Sequence, residues 1–210
     1  MYIIQLIINN QKTYIMANLW KAGTQKAYYG YVAQLAIGLL GGFLVEMMTP
    51  NAMEIIMGAD PTAALATSVV VALASVAAFV YYLIGIKDMK SAAAGSSLEV
   101  ATGRLWTGAI LGLCGSVLAV IPVLSLVGVL LGLAGFIVSW TGYSAFKTDA
   151  ADEKAKEGGA KLANVCLLSV ISAVVALIPG AGWILALIID IVALVFALQG
   201  WKAVAESELA

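Results

Sequence analysis

Residues 105–146 read LWTGAILGLCGSVLAVIPVLSLVGVLLGLAGFIVSWTGYSAF, a stretch without one charged side chain. As a single helix it would be roughly 60 Å long at about 1.5 Å per residue, twice the thickness of a bilayer's hydrocarbon core. Pro122 divides it. Proline removes an N–H and crowds the preceding turn, so the chain is expected to reverse there, giving two spans, Leu105–Ile121 and Val123–Phe146.

The same pattern recurs on both sides. Leu162–Ile178 and Gly182–Trp201 flank Pro179-Gly180-Ala181-Gly182, and Ala27–Met48 and Ala63–Ile86 precede the central stretch. The expected fold is therefore an all-α polytopic membrane protein, with six transmembrane helices as three hairpin repeats at 27–86, 105–146 and 162–204. Residues 1–26 would form an N-terminal cytoplasmic or interfacial segment, and 205–210 a cytoplasmic tail. Met16-Ala17-Asn18 reads as a start, making residues 1–15 an extension of the protein proper. Composition agrees with a lipid setting. Of the 210 residues, 62% are hydrophobic and 11% charged, against about 45–50% and 25% in a soluble domain.

Charge placement orients the spans. The 11 Lys and Arg residues are Lys12, Lys21 and Lys26; Lys87, Lys90 and Arg104; Lys147, Lys154, Lys156 and Lys161; and Lys202. With six crossings all fall on one side, and the other carries Glu46, Glu54 and Asp60. Positive residues are retained in the cytoplasm during insertion, so both termini are expected there, in the cell (inner) membrane. Trp20, Trp106, Trp140 and Trp201, with Tyr28, Tyr29, Tyr81, Tyr82 and Tyr143, are expected in the headgroup zone on that side, and Trp183 at the outer edge. The Lys147–Lys161 connection reads as a solvated linker; the alternative is an extension of the fourth helix that breaks at Gly158-Gly159.

Internal correspondences support the hairpin reading. Ile121-Pro122 corresponds to Ile178-Pro179, and Gly142 to Gly200, at offsets of 57 and 58. Gly108, Gly112 and Gly115 and then Gly128, Gly132 and Gly135 are each spaced GxxxGxxG, placing three glycines on one helical face. The first span has Gln34, Gly38 and Gly41 at this spacing. Such faces let helices approach closely in lipid, where hydrophobicity drives no association. They imply seams inside one bundle, or between copies in a homo- or hetero-oligomer.

Few residues are equipped for chemistry. The chain has no histidine, and Cys114 and Cys166 lie in apolar runs. No enzyme, cofactor or nucleic-acid partner is expected. Asp190 is the one carboxylate deep in a span. Such a group costs about 2.5–3.5 kcal/mol at the bilayer centre and must face protein or water. Ser169 and Ser172 on the preceding span are its expected hydrogen-bond partners. Met47, Met48, Met53 and Met57 form a possible soft-metal cluster beside Glu46, Glu54 and Asp60, although methionine is also a common filler of apolar interfaces. The expected function is a structural or assembly protein, an accessory subunit or self-associating helical scaffold. The alternative is proton or cation translocation through Asp190.

Overall fold

The computed structural model describes residues 2–50, 60, 62–119 and 121–209. Among these it contains six helices and no strand: α1 (Tyr2–Met48), α2 (Thr62–Ala92), α3 (Glu99–Ala119), α4 (Ser125–Asp149), α5 (Glu153–Val175) and α6 (Gly182–Ala205). Within the described residues five of them, α1, α2, α4, α5 and α6, are long and apolar enough to cross a membrane. The chain turns at Ile121–Leu124 around Pro122, and again at 176–181, where Gly180 adopts φ +85°. That left-handed conformation costs glycine nothing.

Consecutive helices pack in antiparallel pairs. A Cβ built on Gly23 of α1 would lie 2.7 Å from the Met89 amide of α2, and one on Gly41 would meet Val71. In the second pair, Gly115 sits against the backbone of Gly128 and Gly132, and Gly135 against that of Gly108 and Gly112. In the third, Gly158 sits against Gly200 and Val204. At each of these positions a side chain would collide with the facing helix, so small residues set the spacing.

The three pairs meet around one core at the basic end. Trp20 (α1), Ile86 and Met89 (α2), Leu105 (α3), Phe146 (α4), Leu162 (α5), and Trp201 and Val204 (α6) are all buried there. The ring of contacts closes through α2 on α3, α4 on α5 and α6 on α1. Because the helices alternate in direction, the Lys and Arg residues collect at this end. Towards the other end the exposed faces are apolar, with Leu40, Phe43, Val70, Leu126, Leu133 and Ile188 among the uncovered side chains. These faces are compatible with contact with a lipid bilayer.

Two expectations need correction. Trp20 and Trp201 do not present their rings to lipid headgroups. Each is 1% exposed, because α1, α4, α5 and α6 run past the apolar spans and enclose the rings. Gly158 and Gly159 do not break a helix. Asp152 caps α5 by accepting from the Lys154 amide at 3.0 Å, and both glycines lie inside that helix, where Gly159 meets Phe146 and Lys147. Residues 2–15 continue α1 as helix, with the side chains of Tyr14 and Ile15 exposed.

Candidate functional site

Asp190 lies in the middle of α6. Ala186 and Ala193, seven residues apart, stay on the seam with α5 and are each 7% exposed. A four-residue step advances about 40° beyond a whole turn, so Asp190 falls at the edge of that seam. Its side chain is exposed, between Leu187 and Ile191, which are exposed as well. Among the described residues it has no hydrogen-bond or ion-pair partner.

The serines expected to hold it are engaged elsewhere. Ser172 is buried and its hydroxyl donates to the Ala186 carbonyl at 3.3 Å, across the α5–α6 seam. Ser169 is exposed and donates to the Val165 carbonyl in its own helix at 3.0 Å. The expected Asp190–serine bond is therefore absent. The reason is geometric: the hydroxyl that crosses the seam meets the carbonyl at 186, four residues before the carboxyl.

The glycine faces divide in the same way. Gly108, Gly115, Gly128 and Gly135 are buried against the facing helix, and Gly41 against Val71. Gly38, Gly112 and Gly132 lend no such constraint of their own, since a Cβ on any of them would enter open space.

Gly112 lines a cavity of about 620 Å³ between the first two helix pairs. Its walls are mainly apolar, with Phe79, Val80 and Leu113 among them, and the polar side chains lining it include Gln34, Ser75, Ser116 and Ser139. Ser75 donates to Val71 O at 2.8 Å and Ser116 to Gly112 O at 2.9 Å. Gln34 and Ser139 have no hydrogen-bond partner among the described residues.

The basic end holds an aromatic cluster that hydropathy alone did not disclose. The Trp201 ring lies 6.3, 5.6 and 6.0 Å from the rings of Tyr31, Tyr82 and Tyr143, so all three pairs touch it. Gly142-Tyr143 beside Gly200-Trp201 was its signal in the sequence. Lys26 and Asp88 pair at 2.7 Å across α1 and α2. The hydrogen bond to Asp88 raises the Lys26 pKa above its ordinary value. At the opposite end, Asp60 accepts from the amide and hydroxyl of Thr62, which lowers its pKa.

Of the methionine cluster, Met47 and Met48 are exposed at the end of α1, and the Thr67 hydroxyl donates to Met48 Sδ at 3.0 Å. Met53 and Met57 lie outside the described residues. No group of three His, Cys, Asp or Glu side chains fit to hold a metal occurs among the described residues. Cys114 is exposed and Cys166 buried, both as free thiols.

No protein-family model matches the chain, and no curated protein or solved structure matches it.

Proposed function

We propose that the chain is a six-span integral membrane protein built of three repeated hairpins, with both termini cytoplasmic in the cell membrane, and that it serves as a self-associating assembly subunit. Positions equivalent under the repeat support the architecture. A Cβ on Gly85 meets Ala27, one on Gly142 meets Leu105, and one on Gly200 meets Leu162. The spacing is 57 and 58 residues along the second helices, and 78 and 57 along the first.

The observation that carries the assembly reading is the exposed, unpartnered carboxyl of Asp190 on an apolar flank. Left against acyl chains it costs about 2.5–3.5 kcal/mol, and a neighbouring protein surface removes that cost. Oligomeric state in nanodiscs tests this directly. Wild type should form oligomers, and Asp190→Leu should be monomeric with an unchanged melting temperature. A monomeric wild type, or an unaltered Asp190→Leu oligomer, overturns the reading.

The same exposed carboxyl favours a second reading, proton or cation translocation through Asp190. That reading requires flux into reconstituted vesicles, followed with a pH-sensitive dye, and its loss in Asp190→Asn.

A further inference from the structure

We propose that the cavity between the first and second helix pairs receives Asp190 of a second copy, so that assembly joins the flank of α6 on one molecule to the α2–α3 cleft of the next. This rests on the assembly reading above and adds the receptor to it.

The first support is chemical. The cleft presents polar side chains inside an apolar wall, and two of them, the Gln34 amide and the Ser139 hydroxyl, are unpartnered. An amide offers two N–H donors and a hydroxyl offers one, and carboxyl oxygens accept both. The Ser75 and Ser116 hydroxyls, already donating to their own helices, keep lone pairs for a donor. Each surface thus carries unmet hydrogen-bonding capacity in an otherwise apolar setting, and each supplies what the other lacks.

The second support is depth. Met89 of α2, Leu105 of α3 and Val204 of α6 line the same small gap in the core. Ser75 lies fourteen residues from Met89, and Asp190 fourteen from Val204, both about 21 Å along their helices. Ser116 lies eleven residues from Leu105, and Gln34 eleven from Gly23, which faces Met89. That is about 16 Å, roughly one turn away. Two molecules standing side by side in a bilayer therefore bring Asp190 level with Ser75, about one turn from Ser116 and Gln34 and about two turns from Ser139.

The third support is space. Gly112 has open room where a Cβ would stand, and the cavity is large enough for several side chains of a visiting helix face. Because flank and cleft are different surfaces, the contact is heterologous and repeats head to tail.

Complementation tests this. Asp190→Leu removes the inserted group, and Gly112→Leu fills the cleft from a position whose Cβ meets no neighbour. Each variant alone should lose the wild-type oligomer in nanodiscs while keeping its melting temperature. Mixed, they should form a dimer with one copy of each, since one intact flank then meets one intact cleft. Gln34→Leu replaces Gly112→Leu should the latter melt early, with the same expected outcome. Wild-type oligomers in the cleft variant, or no mixed dimer, overturn the receptor assignment. The first result together with a monomeric Asp190→Leu leaves the assembly reading standing. A monomeric wild type overturns both.

Discussion

The indole Nε1 of Trp20 donates to the Ser207 hydroxyl at 3.3 Å, joining two residues 187 positions apart. Trp20 stacks on Phe146 with ring centroids 6.1 Å apart, and Ser207 in turn donates to the Val204 carbonyl at 2.7 Å. The N-terminal helix, the middle pair and the turn beyond α6 are thereby held in one knot. Nearby, the Glu208 amide donates to Asp152 at 2.7 Å, so the segment after α6 also closes over the start of α5.

Trp20→Ala should be the most damaging single change at this end. It empties a site 1% exposed, and large aromatic truncations in cores cost about 3–5 kcal/mol. Ser207→Ala loses two hydrogen bonds, leaves the Trp20 N–H without an acceptor at a cost of about 1–3 kcal/mol, and should be milder. Thermal unfolding in mild detergent gives the order Trp20→Ala below Ser207→Ala below wild type.

Glycines that share a sequence pattern should differ in tolerance. Gly115→Val and Gly128→Val push a side chain into the facing backbone, at Gly132 and Ala119 respectively, and should separate the second pair. Gly38→Ala and Gly132→Ala enter open space. They should be neutral or slightly stabilising, since alanine is the better helix former. Melting temperatures of the four variants check this.

The Lys26–Asp88 pair should give an alkaline signature. Lys26 has its pKa raised by the Asp88 hydrogen bond, so its stabilisation is fully present below the ordinary lysine value of 10.5. It is lost as pH rises through the higher folded value. The melting-temperature gap between wild type and Lys26→Gln should narrow above pH 10.5, by a small amount because the pair is near the surface.

The proposed threading has its own test. In a background with Cys114 and Cys166 replaced by alanine, Val123→Cys and Leu177→Cys, at the strongly exposed turns, should react with an impermeant maleimide in intact cells. Lys154→Cys should react only after the membrane is opened. Labelling of all three from the same side would rule out six crossings.

Hydropathy and proline placement made the helices and both turns legible in the sequence, because burial in lipid demands long uncharged runs. Helix ends were less legible. Charged residues at 147–161 read as solvent-facing linker, yet Gly158, Gly159 and Ala155 bury one face of a helix while Lys154 and Glu157 leave the other wet. Periodicity put Asp190 near a seam, but a shift of about 40° around the helix decides between a partner within the chain and none. That angle depends on how α5 and α6 cross, which spacing alone does not encode. The same holds for Gly112 and Gly132, whose pattern matches that of their packed neighbours although they face open room.

The core shared by all three helix pairs sits at the basic end. A body gripped at one end and parted at the other answers mechanical load unevenly. Stretching or thinning the bilayer would change the angle between the fingers while the stem keeps its side-chain packing. The cleft beside Gly112, lying between two fingers, would open or narrow with that angle.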